Sequence, residues 1–424
     1  MRKIGRAWLV FLCLFGCRAL AIEAGAYSEE YTPEVGKLKV SLGGYSARGG
    51  KPATSVHDPV RAEALVLRSG QAMAAIVTID IGGVSKKFRD DVLKKLQGTG
   101  IIDSNFLISA THTHSAPGSF KDETYYQYTL GQVANAIKQA ITRLEPATLR
   151  VGEKSVPGLT LNRRDPSYDY GTRRFQPSYD PQNPLNVTDD RVTVLRVDNA
   201  SGKPIALLVN FATHATVLGS DSFRVSADWP GAMKSRLEKE YPGATAMFMN
   251  GAQGDQAPAS PEEKDDLKCV EIVGNRIAEA AMSALAEAKL VKAEPLKSMI
   301  EWPRVNAVIH LYKVPIPRSL LGENYRRMPL MAVSAGEVVI MAMPLEAVSQ
   351  MGITMKSAAH GFGYSYPLVA GLANAHFGYC ATPDEFKRGG YEVALTGFGE
   401  IESGFVIGQM MLLLEKLNRS SDRD

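Results

Sequence analysis

Apolar runs of strand length constrain the fold of this 424-residue chain more than any other feature. Residues 72–80 and 105–110 form two such runs, and Ser85 between them precedes a segment with amphipathic helical spacing. A strand, a helix and a second strand in this order favour parallel strands joined by a crossover. Residues 62–80 and 191–212 each read as a hairpin. The sequence therefore predicts an α/β fold with a mixed, largely parallel sheet or sheets flanked by helices.

Two of the seven histidines stand close together where one apolar run ends. Residues 108–120 read Ile-Ser-Ala-Thr-His-Thr-His-Ser-Ala-Pro-Gly-Ser-Phe. If 105–111 is a strand, His112 and His114 lie at positions i and i+2, where side chains share one face of a sheet. Two imidazoles there can bind one divalent metal, whereas a lone histidine beside a strand is more often hydrogen-bonded in the core or at the rim. A third histidine, His214, also follows an apolar run.

The remaining pattern predicts further elements. Residues 38–42 alternate like a strand, and 126–141 carry apolar residues at helical spacing. Ser260-Pro-Glu-Glu at 260–263 has the form of a capping box at the start of a helix. The polar stretch 162–190 is too long for an ordinary connection, which favours a lid or binding loop, with a disordered insertion as the alternative.

The N-terminus has the pattern of an export signal. Basic residues precede the apolar segment 7–16, and 19–21 read Ala-Leu-Ala, a small-residue cleavage site. We predict a signal peptide over 1–21 and a single catalytic domain over 22–424. A lipoprotein signal over 1–16 is the alternative, because 14–17 read Leu-Phe-Gly-Cys and would place a lipid anchor on Cys17. In either case the protein is expected to be exported: periplasmic, secreted or membrane-anchored.

Composition and motif content exclude several functions. The formal charge of +3 is small for this length and no long basic run is present, so nothing supports a nucleic-acid partner. Beyond the signal only Cys269 and Cys380 remain, which is not a disulfide scaffold. The sequence lacks a Gly-x-Ser-x-Gly elbow, a His-Glu-x-x-His helix, a P-loop and a dinucleotide fingerprint. A small amphipathic or glycan substrate is the better expectation.

Five separated motifs resemble, in the same order, those of the neutral/alkaline (non-lysosomal) ceramidases. They are Thr-His-Thr-His-Ser-Ala-Pro-Gly at 111–118, Asn-Phe-Ala-Thr-His at 210–214, Asn-Gly-Ala-Gln-Gly-Asp-Gln-Ala-Pro at 250–258, Pro-Leu-Glu at 344–346, and Gly-Leu-Ala-Asn at 371–374 followed by Tyr379, Thr-Pro-Asp-Glu-Phe and Tyr391-Glu. The resemblance implies an α/β catalytic domain with one zinc ion per chain, which hydrolyses the amide bond of ceramide.

The resemblance also implies roles for single residues. The zinc ligands would be His112, His214, Glu346 and Tyr379. The catalytic residues would be His114, which contacts the reacting group, Arg163, which holds the oxyanion or substrate, and Tyr391, which either supports a metal ligand or is an oxyanion partner. We add Asp255 of the 250–258 loop as a proton acceptor or orienter. The doubled arginine leaves Arg164 as an alternative to Arg163. Asp255 is more often a local backbone cap in such a turn, and the two tyrosines could be packing residues.

Two departures from the family pattern modify the expected function. The family's Gly-Asp-x-Ser-Pro loop has Ala257 in place of the catalytic serine. The chain also stops at Asp424, without room for the family's C-terminal sandwich domain. We therefore expect an exported zinc-dependent hydrolase that cleaves an N-acyl amide bond with zinc-activated water and is not a true ceramidase. A glycan-directed hydrolase and a non-catalytic zinc- or ligand-binding surface protein are the alternatives.

Overall fold

The structure, a computed structural model, describes residues 22–118, 122–261, 263–305, 309–311, 314–316 and 326–420. The predicted signal peptide, its cleavage site and Cys17 lie outside the described residues. None of the helices in this part of the chain combines the length and hydropathy needed to cross a bilayer.

Helices flank the sheets, and polar side chains cap several of them. The Oγ atom of Ser85 accepts a hydrogen bond from the backbone N–H of Phe88, as the sequence predicts. Asp122 caps the next helix in the same way through the N–H of Tyr125. The α-helices within the described residues are α1 (Lys86–Lys95), α2 (Glu123–Thr142), α3 (Trp229–Glu240), α4 (Asp266–Ala286), α5 (Ser349–His360), α6 (Pro383–Arg388), α7 (Tyr391–Ala394) and α8 (Glu402–Arg419).

The described strands form one large sheet, one smaller sheet and several two-stranded pairs. In spatial order the large sheet contains β13 (Thr245–Asn250), β11 (Pro204–Phe211), β10 (Arg191–Asn199), β6 (Glu145–Ser155), β1 (Glu23–Glu30), β3 (Arg61–Ser69), β4 (Ala72–Ile79) and β5 (Phe106–Ala110), with β15 (Lys289–Val291) paired to β6. The smaller sheet contains β16 (Leu296–Glu301), β19 (Leu330–Ala335), β20 (Val338–Ala342) and β22 (Tyr366–Ala370). The pairs are β2 (Ser55–Val56) with β12 (Arg224–Val225), β7 (Thr160–Asn162) with β14 (Gln256–Pro258), β8 (Tyr168–Asp169) with β9 (Arg174–Phe175), β17 (Ile309–Leu311) with β18 (Val314–Ile316), and β21 (Glu346–Ala347) with β23 (Tyr379–Cys380).

The two sheets pack face to face, and helices cover their outer faces. Alternation along β3 shows the layering, because Leu65 and Leu67 enter the core between the sheets whereas Ala64 and Val66 enter the core beneath α1 and α2. A third core lies beneath α3 and α4, and a fourth separates the small sheet from α5 and α8. The order of layers is therefore helix, sheet, sheet, helix, which confirms the predicted mixed α/β class. The single-domain boundary at 22–424 stays a prediction.

The expectation of largely parallel sheets is wrong. Parallel pairing is confined to β4 with β5, β11 with β13 and β20 with β22 in the two larger sheets, and their other pairs are antiparallel. Each parallel pair is joined through a helix, whereas neighbours such as β3 and β4 are joined by a two-residue turn. A tight turn reverses the chain direction, so strands joined by hairpins pair antiparallel, and these pairs outnumber the parallel ones.

Two smaller expectations also need correction. Residues 38–42 make only isolated bridges, while β1, which the apolar pattern did not reveal, pairs along its whole length with β3. Helix α4 begins at Asp266 and is capped by Asp265, not by Ser260. The Asp265 side chain accepts from the N–H of Leu267, and a carboxylate at this position also stabilises the helix dipole.

Loops from the two sheets meet at one place. A parallel bridge between Thr113 and Ala215 joins the loop after β5 to the loop after β11. An antiparallel bridge between Ser109 and Ala373 joins β5 to the loop after β22. The end of β13 joins the same cluster, because the N–H of Gly371 donates to Asn250 O at 2.9 Å. Residues distant in sequence are thereby held together.

Candidate active site

His112 lies in the loop after β5 and not on the strand. Its φ of 68° is in the left-handed region, so the expected i, i+2 arrangement on one strand face does not form. The ring is nevertheless fixed, because Nδ1 contacts the carbonyl oxygen of Gly82. A carbonyl only accepts hydrogen bonds, so Nδ1 carries a proton, and Nε2 is left as the ring atom that can bind a metal.

His214 is held in the same manner after β11. Its Nδ1 donates to the carbonyl oxygen of Gln256 at 2.9 Å, and its own backbone N–H donates to that oxygen at 3.1 Å. Burial and the charge of Arg163 lower the pKa of His214 to about 4, so the ring is neutral at pH 7. Its Nε2 atom is therefore also available as a ligand.

Glu346, at the start of β21, supplies a carboxylate to the two imidazoles. Its Oε2 atom lies 3.1 Å from Nε2 of His112 and 3.3 Å from Nε2 of His214. Burial acts to raise the pKa of Glu346, but the neighbouring histidines outweigh it and hold the pKa well below its ordinary value. The carboxylate is therefore ionised where it faces the two Nε2 atoms.

The His112, His214 and Glu346 side chains fit a divalent metal ion. All three are buried, and one ligand atom of each lies within 4.8 Å of the others. Ligand atoms about 2.0–2.1 Å from a tetrahedral zinc ion stand about 3.3 Å apart, close to the observed separations. Nε2 of His214 and Oε2 of Glu346 make no hydrogen bond of good geometry within the described residues, although both are fully buried. Such unsatisfied atoms are costly without an ion.

Tyr379 and Arg163 lie together beside this cluster. The Nη2 atom of Arg163 donates to the Tyr379 hydroxyl at 3.0 Å and to Gly254 O at 2.8 Å. Its Nε donates to Glu392 at 2.9 Å. Burial and the nearby Glu346 carboxylate raise the pKa of Tyr379 well above its usual value. The role of Tyr379 as a fourth ligand stays a prediction.

The doubled arginine divides between two positions. Arg163 is buried against Tyr379, whereas Arg164 donates to the other oxygen of Glu392 at 2.9 Å and to Gly389 O at 2.7 Å. The structure therefore brings Arg163, and not Arg164, to the tyrosine. The polar stretch 162–190 packs beside this group, since the ring centroid of Tyr170 is 5.2 Å from that of Tyr391. Its role as a lid stays a prediction.

His114 stands over the cluster, with Nε2 at 3.3 Å from Nε2 of His112. Burial and the adjacent His112 lower the pKa of His114 well below its usual value, so the ring is neutral at pH 7. The ring of Tyr45 packs edge-on against it at 4.7 Å between centroids. Gly44, with φ of 80°, leaves the space, because a Cβ there would lie 2.1 Å from the imidazole ring.

A cavity of about 350 Å³ opens over these residues, here called the site cavity. Ile81 and Pro117 are its aliphatic members, while glycine backbone and polar side chains form most of the wall. Tyr391 at the start of α7 is half-exposed, with its ring centroid 5.9 Å from that of Tyr379. The lining residues are Gly43, Gly44, Ile81, Gly82, Gly83, His112, His114, Pro117, Gly118, Glu346, His376, Tyr379 and Tyr391.

Asp255 does not line the site cavity. Its carboxylate is buried and accepts hydrogen bonds from Ser349 N at 2.7 Å, Ser349 Oγ at 3.0 Å, Gln256 Nε2 at 2.9 Å and Asn162 Nδ2 at 3.0 Å. Burial and the charge of Glu385 raise its pKa to about 7. The Asp255 carboxylate therefore connects its own loop to β7 and to the start of α5 through hydrogen bonds. Position 257 is likewise outside the cavity wall, because Ala257 is buried in β14 opposite Leu161 of β7.

His376 belongs to the site but was not among the residues predicted from sequence. Its Nε2 atom lies 3.0 Å from Oε1 of Glu346, and its ring lines the site cavity. A lone histidine in the sequence Ala-Asn-Ala-His-Phe carries no spacing signal. The available clue was its position after an apolar run, which it shares with His214.

The match to a family profile covers more than half of this chain. The profile described as neutral/alkaline non-lysosomal ceramidase, N-terminal, matches residues 32–259. The chain belongs to the neutral/alkaline ceramidase family. His112 and His214 lie inside the matched region, whereas Glu346 and Tyr379 lie beyond it.

Individual members of the ceramidase family resemble the chain over much of its length. Neutral ceramidase B of Dictyostelium discoideum is 21% identical over 491 residues, covering 85% of this chain and 68% of that protein. The neutral ceramidase of Drosophila melanogaster is 26% identical, covering 66% and 47%. The crystal structure of the neutral ceramidase from Pseudomonas aeruginosa shares the fold, with a TM-score of 0.79 over 94% of this chain and 75% of that chain at 18% identity.

Proposed function

We propose that this ceramidase-family hydrolase is a zinc-dependent amidase that cleaves N-acyl bonds. The observation that carries the proposal is the convergence of His112, His214 and Glu346, whose two Nε2 atoms and one carboxylate oxygen lie within 4.8 Å of one another. Two nitrogens and one oxygen are ligands typical of a catalytic zinc ion. Tyr379 is the proposed fourth ligand.

The metal and the surrounding side chains have separate tasks. When bound, zinc acts as a Lewis acid that polarises a carbonyl group and lowers the pKa of water. The chain's own residues orient the scissile amide. Neutral His114 places Nε2 beside the reacting group and forms a hydrogen bond with that group. Tyr391 also lines the site cavity, and its proposed task is to face the developing oxyanion.

Arg163 acts through Tyr379 in this proposal. The guanidinium is buried and contributes no wall to the site cavity, but it holds the tyrosine hydroxyl at 3.0 Å. Its positive charge opposes part of the rise in the pKa of that hydroxyl. Arg163 is therefore a positioning residue, and Asp255 has the same standing through its ties to the loops beside the site.

The shape of the site cavity supports a preference for a small acyl group. Its volume of about 350 Å³ is at the lower end of the range for small-molecule sites, roughly 300–1,000 Å³. Glycine backbone and imidazole rings line much of it, and such a wall buries little apolar area against a long alkyl chain. We propose that an amphipathic N-acyl amide with a short acyl chain is cleaved faster than long-chain ceramide. The N-terminal export signal stays part of the proposal.

The test is a substrate series measured on purified protein. Fluorogenic N-acyl amides of increasing acyl length, ceramide and fluorogenic glycosides are assayed with the wild type and with His114→Ala. Amide turnover that falls with acyl length and is strongly reduced by the substitution is the expected result. Glycoside turnover without amide turnover would replace the proposal by a glycan-directed hydrolase. Stoichiometric zinc with no turnover of either class would point to a binding protein.

A further inference from the structure

The two oxygens of Glu346 have different partners. Oε2 faces the imidazoles of His112 and His214 at 3.1 and 3.3 Å. Oε1 points away from them and lies 3.0 Å from Nε2 of His376. A carboxylate oxygen accepts hydrogen bonds, so Nε2 of the His376 ring is the donor in this contact. The carboxylate is thereby fixed with one oxygen toward the metal position.

Packing around His376 maintains this orientation. The residue lies in the loop after β22, with its side chain 35% exposed and forming part of the site cavity wall. Gly83 makes room for the ring, because a Cβ at position 83 would lie 2.7 Å from Nδ1 and 3.1 Å from Cγ of His376. A side chain at position 83 would therefore push the imidazole from its place.

Given the proposed zinc site, on which this inference rests, we propose that His376 is a positioning residue for the metal. It holds Glu346 so that the carboxylate binds through Oε2 alone, and it thereby sets the affinity and coordination of the ion. A carboxylate without this partner can rotate and bind through both oxygens or leave the ion. Loss of a hydrogen bond to a metal ligand typically weakens metal binding by about 10–100-fold.

Four variants test the inference. His376→Ala removes the hydrogen bond, His376→Gln retains an N–H donor, and Gly83→Ala displaces the ring without altering it. His360→Ala is the matched control, because His360 ends α5, its ring contacts the Tyr364 carbonyl, and it does not line the site cavity. Zinc affinity is measured by competition with a chromophoric chelator, the visible spectrum of the cobalt-substituted protein reports coordination, and the melting temperature (Tm) of the metal-free protein reports folding.

We expect His376→Ala to bind zinc roughly 10–100-fold more weakly than the wild type, with altered cobalt bands. Gly83→Ala should shift in the same direction, His376→Gln should recover part of the affinity, and His360→Ala should match the wild type. Wild-type affinity and spectrum in both His376→Ala and Gly83→Ala would overturn the inference. Absence of zinc binding by the wild type would instead overturn the proposed metal site itself. If His376→Ala does not fold, the other two site variants decide.

Discussion

The Nε2 atom of His112 lies 3.1 Å from Oε2 of Glu346, and this contact joins the two sheets. His112 follows β5 of the large sheet, whereas Glu346 follows β20 of the small sheet. An ion shared by the two residues would connect the sheets at the end of their common core. Metal binding and stability of the folded chain should therefore be linked.

Removal of the metal is expected to lower the Tm. A ligand present at 100 times its dissociation constant stabilises the native state by about 2.7 kcal/mol. Dialysis against a chelator should therefore lower the Tm of the wild type by several degrees, and added zinc should restore it. A His112→Ala/His214→Ala variant should show no response to either treatment. An identical chelator response in that variant would place the stabilising ion elsewhere.

The two adjacent arginines should differ in their effect on the metal site. Arg163→Lys loses the forked contact to Tyr379, Gly254 and Glu392, because lysine is a point charge without a planar donor array. We expect kcat to fall by roughly 10–100-fold, as for other residues that orient a ligand.

Arg164→Lys is the matched substitution next door. Arg164 donates hydrogen bonds to Glu392 and to the carbonyls of Glu385 and Gly389. Its substitution should therefore lower the Tm while leaving kcat close to that of the wild type. Steady-state kinetics and thermal melts on both variants decide the matter. Equal kcat losses would remove the distinction between the two residues.

A hydroxyl at position 257 should not create a more active enzyme. The resemblance places serine here in the family, but Ala257 is buried in β14 and does not line the site cavity. Ala257→Ser should leave kcat on a short N-acyl amide unchanged and lower the Tm if the new hydroxyl finds no partner, which costs about 1–3 kcal/mol. A large rise in kcat, or in ceramide turnover, would show that this position reaches the substrate.

Glu402 should make stability depend on pH. It lies in the first turn of α8, is 4% exposed, and its Oε1 has no hydrogen-bond partner within the described residues. Burial raises its pKa to about 7. A carboxyl whose folded-state pKa is raised contributes stability that is complete below about pH 4.5 and is lost as pH rises through about 7.

The substitution Glu402→Gln removes this titration with little change in shape. The variant should melt a few degrees above the wild type at pH 8 and at the same temperature at pH 4. Glu415→Gln on the same helix, where the glutamate is solvent-accessible, is the control and should show no such difference. A gain for Glu402→Gln at pH 4 as large as at pH 8 would contradict the assignment.

Features set by local patterns could be predicted from sequence. The apolar runs predicted the strands that precede His112 and His214, and Ser85 predicted the start of α1, because burial alternation and capping depend on neighbouring residues. The βα crossovers were predicted for the same reason, and β4 with β5 confirms one of them. Pairing between distant strands such as β1 and β3 depends on tertiary contacts, so the antiparallel character of the large sheet was missed.

The site shows the same division. The approach of Glu346 to the two histidines was implied by resemblance alone, since no spacing rule relates residues on separate sheets. The left-handed φ of His112 depends on the loop that carries it, so a strand pattern could not reveal it. His376 was missed because its partner is a side chain on another loop. Asp255 lies in a motif of the family, which favoured a catalytic role. In the structure its carboxylate instead accepts hydrogen bonds from neighbouring segments and does not line the site cavity.

Elemental analysis of the purified wild type and of the His112→Ala/His214→Ala variant tests the central claim most directly. We expect about one zinc ion per chain in the wild type and none in the variant, with both proteins folded by circular dichroism. Wild-type protein that holds no stoichiometric metal after purification and cannot be loaded with zinc would contradict it.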